Sequence, residues 1–145
     1  MMEKRRSRLT LGEILLRITS LTPEQLKDAL STQQKKKTVI GKVLVEKGYV
    51  TEQDVLAALV IQDGYPYINL SNYHIDSEVA RIFSREFVQK HKLIPLEKIS
   101  NSLTVAVISS FDRLIIKDIE EKYSYKIRIF WTTLEEIEEA IKKYY

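Results

Sequence analysis

The chain of 145 residues contains no cysteine, which excludes disulfides, thiol catalysis and cysteine-based zinc sites. It contains two histidines, His74 and His91, and neither has other metal-ligating residues at a typical spacing. The longest apolar run, Val55 to Ile61, is far shorter than the ~18 residues that span a bilayer. No apolar signal segment follows the basic N-terminus. We therefore expect a cytoplasmic protein without a metal site.

Glycine is also scarce, with four residues at positions 12, 41, 48 and 64. Gly41 and Lys42 lack the upstream glycine of a phosphate-binding loop, and no G-x-S-x-G or H-E-x-x-H motif is present. Adjacent carboxylates such as Glu135 and Glu136 are typical of a solvated helix face rather than of an acid/base pair. The sequence therefore predicts no catalytic residues and a protein that is not an enzyme.

The net charge of +3 is confined to one end of the chain. Residues 1–10 carry four cations against Glu3, so the remaining residues sum to zero. Because a nucleic-acid-binding domain spreads positive charge over a folded face, a DNA-binding helical module is disfavoured and no nucleic-acid partner is predicted. Residues 1–8 are predicted to form a basic arm, which is either solvated or in contact with phosphates or a membrane surface.

An internal repeat follows the basic arm. Residues 11–33 align with residues 40–62, a shift of 29 residues. Six aligned positions are identical, and five others exchange one aliphatic residue for another. A period of this size is typical of duplicated helical hairpins, and two copies are too few for a solenoid. The identical pairs are Gly12/Gly41, Leu15/Leu44, Thr22/Thr51, Ala29/Ala58, Leu30/Leu59 and Gln33/Gln62.

Each copy of the repeat predicts a short helix, a turn and a longer helix. The longer helices begin at capping boxes, Thr22–Gln25 in copy one and Thr51–Asp54 in copy two. Pro23 occupies the first helical position of copy one, where proline is favoured. Gly48 is predicted to end the short helix of copy two in the left-handed conformation, a position that Thr19 occupies in copy one.

The second half of the chain predicts a small mixed subdomain. Turn residues at 63–66 mark a boundary, so we expect units at 9–63 and 64–145. An extended piece over Pro66–Leu70 precedes one helix from Asp76 or Ser77 to about Lys90. The fold class is α+β: duplicated helical hairpins followed by a small ββαβα subdomain. The expected remaining elements are strands Leu93–Ile99, Leu103–Ile108 and Lys126–Trp131, and helices Asp112–Tyr123 and Thr133–Lys143.

The repeated glycines and glutamines have two interpretations. Gly12 and Gly41 begin helices, where free N–H groups and the helix dipole favour an anion, and glycine lets a flat ligand approach the backbone. The amides of Gln33 and Gln62 could pair with a base edge, while leucine faces pack against rings. Alternatively, glycine permits close helix packing and glutamine marks the end of an apolar face. The residue types alone favour this second interpretation.

The repeat matches a known motif pattern. Copy two contains Ile40-Gly41, Leu44, Gly48, Val55, Leu59 and Gln62, and copy one contains Leu11-Gly12, Leu15, Leu26, Leu30 and Gln33. These copies resemble the paired motifs of the MshEN domain, which is the N-terminal domain of type II secretion and type IV pilus assembly ATPases. The resemblance extends over residues 9–145 through Pro66–Leu70, Ile75-Asp76, Ile94–Leu96, Leu103–Ala106 and Phe111-Asp112.

The resemblance implies a non-catalytic regulatory or docking domain. Some members of that family bind cyclic di-GMP across the two motifs, and others dock the ATPase onto an inner-membrane platform protein. It implies that the platform protein is the partner, together with an ATPase motor domain if the native gene encodes one, and that membrane association occurs only through the partner. The cyclic di-GMP contacts that it implies are Arg8, Leu11, Gly12, Leu15, Leu30, Gln33, Ile40, Gly41, Leu44, Gly48, Leu59, Gln62 and Asp112.

The sequence lacks both arginines of the motif. Thr10 occupies the arginine position in copy one and Val39 occupies it in copy two, and Thr19 replaces the second motif glycine of copy one. Arginine supplies stacking and phosphate pairing that threonine and valine cannot. Since each lost charged contact costs ~1.5–3 kcal/mol, docking is the leading function and cyclic di-GMP binding is the alternative. Arg8, two residues before Thr10, could replace part of the missing charge.

Overall fold

A computed structural model describes residues 9–145, and the predicted basic arm at 1–8 lies outside the described residues. The chain divides into two compact units between Tyr65 and Pro66, two residues after the boundary expected from the sequence. We call them unit 1 and unit 2. Unit 1 contains four helices over its described residues: α1 (Leu11–Ile18), α2 (Pro23–Lys35), α3 (Ile40–Glu46) and α4 (Glu52–Asp63).

Threonine side chains cap the starts of three of these helices, at Thr10, Thr22 and Thr51. Thr22 Oγ1 accepts a hydrogen bond from Gln25 N–H at 3.2 Å, and the Gln25 side chain accepts one from Thr22 N–H at 3.0 Å. The same reciprocal pairs form between Thr51 and Asp54 at α4. Both predicted capping boxes are therefore confirmed, and each satisfies two helix donors that would otherwise lack partners.

Gly48 ends α3 as the sequence predicts. Its φ is +73°, in the left-handed region that glycine adopts without a steric penalty. Tyr49 N–H donates to Leu44 O at 3.0 Å, and Gly48 N–H donates to Val45 O at 2.9 Å. This pair of bonds is the Schellman motif, which satisfies the last carbonyls of the helix.

The two copies pack by exchange. Helix α1 packs chiefly against α4, and α2 packs chiefly against α3, so the first helix of each copy lies on the second helix of the other. The duplication predicts the four helices correctly, but the main contacts run between the hairpins rather than within them. Aliphatic side chains from all four helices fill the core, namely Ile14, Leu15, Ala29, Val43, Leu44, Val55, Leu56, Ala58 and Leu59.

Glycine brings the two helices of each hairpin together. Gly12 and Gly41 are buried, and a Cβ at Gly12 would lie 2.9 Å from Leu26 Cδ1. A Cβ at Gly41 would lie 2.9 Å from Val55 Cγ1. Both distances are too short for a real side chain. The interpretation of these glycines as helix-packing residues is thus supported by geometry.

Unit 2 is built around three strands with order β1-β2-β3. β1 and β2 are antiparallel, and β2 and β3 are parallel, joined by the crossover helix α7. Ile68 N–H donates to Trp131 O at 2.9 Å and Trp131 N–H donates to Pro66 O at 2.8 Å, which adds the predicted extended piece beside β3. The elements are a 3₁₀ turn (Leu70–Asn72), α5 (Ser77–Ala80), α6 (Arg85–His91), β1 (Leu93–Ile99), β2 (Ser102–Val107), α7 (Arg113–Tyr123), β3 (Lys126–Trp131) and α8 (Leu134–Tyr144).

The prediction of one helix from Asp76 or Ser77 to about Lys90 is wrong. The segment contains α5 and α6, separated by a break at 81–84. Ser84 causes the second start, because its hydroxyl accepts a hydrogen bond from Phe87 N–H at 3.1 Å. The apolar spacing continues through the break, so periodicity alone does not reveal it. The other predicted strands and helices of unit 2 are confirmed within one residue at each end.

Glu136 connects the start of unit 2 to α8. Thr133 caps α8 by accepting from Glu136 N–H at 3.1 Å, which is half of the predicted capping box. The Glu136 carboxylate accepts from Tyr67 Oη at 2.6 Å and from Leu70 N–H at 2.9 Å. It also accepts from the hydroxyls of Thr132 at 3.2 Å and Thr133 at 3.0 Å, rather than from the Thr133 backbone N–H of a complete capping box. One carboxylate therefore holds residues 67–70 against the helix.

We expect Gly41→Ala to destabilise the protein more than Gly12→Ala. The β-branched Val55 side chain has little freedom to rotate away from an added methyl group, and overpacking of this kind typically costs about 1–3 kcal/mol. The flexible end of Leu26 can move, and the higher helix propensity of alanine, about 1 kcal/mol, offsets the cost at Gly12. Urea unfolding measures both changes; equal losses would contradict the packing difference.

We expect Glu136→Ala to lower the free energy of unfolding by about 2–3 kcal/mol, because several donors lose a charged acceptor. Glu135→Ala is the matched control: this neighbouring side chain is exposed, so its loss should change stability by less than about 0.5 kcal/mol. Both are measured by chemical denaturation followed by circular dichroism. Similar values for the two variants would show that the carboxylate does not hold residues 67–70.

Candidate functional site

The repeated glutamines connect the two copies of unit 1. Gln33 Nε2 donates to Thr38 O at 3.1 Å, and Gln62 Nε2 donates to Leu9 O at 3.5 Å. Thr38 and Leu9 are equivalent under the 29-residue shift, and each precedes the cap of a first helix. Each copy thus uses its glutamine to hold the entry of the other copy's short helix. The amides face backbone carbonyls of the protein in this arrangement.

The predicted ligand contacts fall into different environments. Leu15, Leu44 and Leu59 are buried in the core of unit 1. Leu30 is the repeat equivalent of Leu59 but is 43% exposed, and Gly48 is exposed. The two copies therefore present different surfaces at equivalent positions. Leu11 and Ile40 are half-buried at the starts of α1 and α3, beside Gly12 and Gly41.

Two predicted contacts lie apart from this group. Asp112 belongs to unit 2, where it caps α7 by accepting from Leu114 N–H at 2.9 Å. Arg8 lies outside the described residues. The eleven other predicted contacts all belong to unit 1.

The positions of the motif arginines carry no charge. Thr10 Oγ1 accepts from Glu13 N–H at 3.2 Å, so this side chain is the cap of α1. Val39 occupies the equivalent place at α3, makes no side-chain cap and is 41% exposed. The starts of the two short helices therefore offer a polar cap in one copy and an apolar side chain in the other.

A polar cluster that the sequence interpretation missed closes the α2/α3 contact. Lys47 Nζ lies 3.0 Å from Asp28 Oδ2, and Tyr49 Oη donates to the same oxygen at 2.6 Å. The Tyr49 hydrogen bond and then Lys47 hold the pKa of Asp28 below its usual value. The same bond to Asp28 raises the pKa of Tyr49.

The equivalent cluster is absent at the α1/α4 contact. The 29-residue shift converts Asp28 to Ala57, Lys47 to Ile18 and Tyr49 to Ser20. Because α1 packs on α4 as α3 packs on α2, the equivalence of the copies predicts that Ile18 lies near Ala57. Ile61 lies one helical turn after Ala57 on the same face.

Ile18 is 44% exposed and Ile61 is 48% exposed. We call Ile18, Ala57 and Ile61 the α1/α4 apolar surface. The sequence repeat contained a signal for it, since alignment of the copies shows a charged pair replaced by aliphatic residues.

Unit 2 contains an open cavity of about 970 Å³ beside its last residues. Its lining mixes cations with carboxylates, including Arg81, Lys143 and Asp76. Tyr145 Oη donates to Ala80 O at 2.6 Å, and burial raises the pKa of Tyr145 to about 12. Over residues 9–145, no group of three or more histidines and carboxylates is placed to hold a metal. No helix in that range is long and apolar enough to cross a bilayer.

Two curated relatives match most of the chain. The type IV pilus assembly ATPase PilB of Myxococcus xanthus is 31% identical over 135 residues, which cover 93% of this chain and 24% of that protein. PilB of Thermus thermophilus is 26% identical over 137 residues, which cover 93% of this chain and 15% of that protein. The chain thus spans about a quarter or less of the length of these relatives.

Solved structures share the fold. The structure of MshE with cdg, or cyclic di-GMP, has a TM-score of 0.81 at 21% identity and covers 95% of this chain and 100% of that chain. The N-terminal domain of XpsE has a TM-score of 0.73 at 20% identity, with 99% of both chains covered. The family model of the MshEN domain matches residues 64–145. Since this match covers more than half of the chain, the protein belongs to the MshEN domain family.

Proposed function

We propose that the chain is a non-catalytic docking and regulatory domain of a type IV pilus or type II secretion ATPase. It acts in the cytoplasm, where it binds the inner-membrane platform protein of its machine through the α1/α4 apolar surface. It regulates the ATPase motor domain of that machine. The observation that carries this proposal is the exposure of Ile18 and Ile61 at the α1/α4 contact. The equivalent α2/α3 contact carries the Asp28–Lys47 ion pair instead.

Burial of these isoleucines favours association. Complete burial of an aliphatic side chain is worth about 1.5–3 kcal/mol, and roughly half of each side chain is already buried within unit 1. The pair therefore contributes roughly 2 kcal/mol when a partner covers it. A central apolar contact of this kind is typical of protein interfaces, and salt weakens it little.

The same comparison of copies supplies a variant that should weaken docking while preserving the fold. In Ile18→Lys with Ala57→Asp, the ion pair of the α2/α3 contact is copied onto the α1/α4 contact. We expect affinity for the purified cytoplasmic part of the platform protein to fall at least about fivefold, because burial of the exposed part of Ile18 is worth roughly 1 kcal/mol and the new charges must also be desolvated. Surface plasmon resonance at two salt concentrations measures the change.

Leu114→Ser is the matched control, because it removes an exposed aliphatic side chain from unit 2. It should leave the affinity unchanged. Unaltered binding by the Ile18→Lys, Ala57→Asp protein would exclude this surface as the docking site. No binding by the unmodified protein would contradict the proposed partner itself.

Cyclic di-GMP binding is the second candidate function. The fold likeness to MshE with cdg covers most of the chain, which favours this candidate. Against strong binding, Thr10 and Val39 leave the two motif positions, at the starts of the short helices, without a guanidinium group for phosphates or bases. The ligand contacts predicted from the sequence remain the proposed ones, and Leu30 has the most exposed leucine side chain among them.

We expect the unmodified protein to bind cyclic di-GMP weakly or not at all, and Val39→Arg to strengthen binding. Val39 is the cleaner site, since Thr10→Arg also removes a helix cap worth about 1 kcal/mol. Isothermal titration calorimetry measures both. Val39→Lys is the control, because it supplies charge without the planar guanidinium. Sub-micromolar affinity of the unmodified protein would make cyclic di-GMP sensing the function.

A further inference from the structure

Two turns meet at one end of the unit 2 sheet. The β1–β2 turn covers residues 98–102, and the α7–β3 turn covers 122–126; together we call them the sheet tip. Lys126 N–H donates to Asn101 O at 2.8 Å, which fastens one turn to the other. Ser100 and Ser124 have φ of 54° and 58°, so both turns reverse sharply. The sheet tip is therefore a defined structural unit.

Its charge is of one sign. Lys98, Lys122 and Lys126 are exposed, and the two segments contain no aspartate or glutamate. Glu97 and Glu121 border the segments, but no ion pair between these lysines and a carboxylate occurs within the described part of the chain. The three lysines thus keep their charge available to an external anion.

An aliphatic side chain protrudes among these lysines. Ile99 is 62% exposed and pairs across the strands with Ser102, which in turn pairs with Lys126. The row Ile99–Ser102–Lys126 ends the sheet. An isolated isoleucine surrounded by lysines has too little apolar area for a protein interface core, but it suits insertion between lipid headgroups.

Two tyrosine rings support the lysines. Tyr123 and Tyr125 are stacked, with centroids 6.0 Å apart and planes inclined by 9°. Lys98 Nζ lies 5.8 Å from the Tyr125 centroid, and Lys122 Nζ lies 5.4 Å from the Tyr123 centroid. The rings are thus engaged with each other and with cations. Half-buried tyrosines with hydroxyl groups are also enriched at the level of lipid headgroups.

We propose that the sheet tip contacts the surface of an anionic lipid bilayer, with Ile99 among the headgroups and the lysines against the phosphates. Single-stranded nucleic acid is disfavoured because the tyrosine faces are engaged rather than open to bases. A protein partner is disfavoured because lysine and serine are depleted at protein interfaces. Lysine is a point charge that suits a diffuse anionic surface, whereas bidentate recognition uses arginine.

The contact is weak by itself and depends on lipid charge. Each lysine near an anionic surface strengthens binding about fivefold, so three lysines give on the order of 100-fold over a neutral surface. Salt screens this attraction within a Debye length of about 10 Å at 0.1 M. The inference concerns unit 2 and does not depend on the α1/α4 apolar surface or on the proposed protein partner.

The absence of native cysteine permits a direct test in the full chain. Ile99→Cys, labelled with an environment-sensitive fluorophore, is mixed with vesicles of phosphatidylglycerol and phosphatidylcholine in equal amounts. We expect a blue shift on these vesicles and none on phosphatidylcholine alone. Leu114→Cys is the matched control, since its side chain is also exposed in unit 2 but lies outside the tip. Equal shifts from both labels, or none from either, would overturn the proposal.

Vesicle flotation tests whether membrane binding depends on the lysines of the sheet tip or on cationic residues elsewhere in the chain. The variant Lys98→Gln, Lys122→Gln, Lys126→Gln should bind roughly 100-fold more weakly. Its control, Lys35→Gln, Lys36→Gln, Lys37→Gln, removes the same charge from unit 1 and should retain binding; circular dichroism verifies folding. The proposal is refuted if both variants lose vesicle binding equally. It is also refuted if binding is lost only when Lys4, Arg5, Arg6 and Arg8 are changed to glutamine. Release from vesicles by a single-stranded oligonucleotide that binds the tip more tightly would refute it as well.

Discussion

The two short helices of unit 1 are stable because each packs on the long helix of the opposite copy. Helices of seven or eight residues are unstable alone in water, so α1 and α3 depend on tertiary contacts. Gln33 and Gln62 hold the carbonyls that precede the two helices. Gly12 and Gly41 let each short helix also approach its own partner. The positions of both short helices in unit 1 therefore depend on contacts with the opposite copy.

Much of the fold could be predicted because local signals determine it. Caps at Thr22 and Thr51, the left-handed Gly48 and the alternation in β3 all act within a few residues. The exchange between copies could not be predicted, since an offset of 29 residues reveals equivalence but not which helices touch. The break before α6 was missed because the apolar spacing continues past Ser84, whose hydroxyl caps the start of a new helix.

The candidate site shows the same division. Alignment of the copies identified the glycines and glutamines, and residue type already favoured helix packing for the glycines. It did not reveal that each glutamine donates a hydrogen bond to the carbonyl before the other copy's short helix. The replacement of Asp28 and Lys47 by Ala57 and Ile18 was present in the sequence. Its meaning required the packing of α1 on α4, because only that contact makes positions 18 and 57 equivalent to the Lys47–Asp28 pair.

The reciprocal hydrogen bonds of Gln33 and Gln62 also have an evolutionary consequence. A chain with a single copy would make the same contacts as a twofold symmetric homodimer, each subunit completing the other. Fusion of two such genes would remove the concentration dependence of assembly. It would also free the two halves to diverge, so that one could keep an ion pair while the other became apolar. A perfectly symmetric dimer cannot present one polar and one apolar face at equivalent positions.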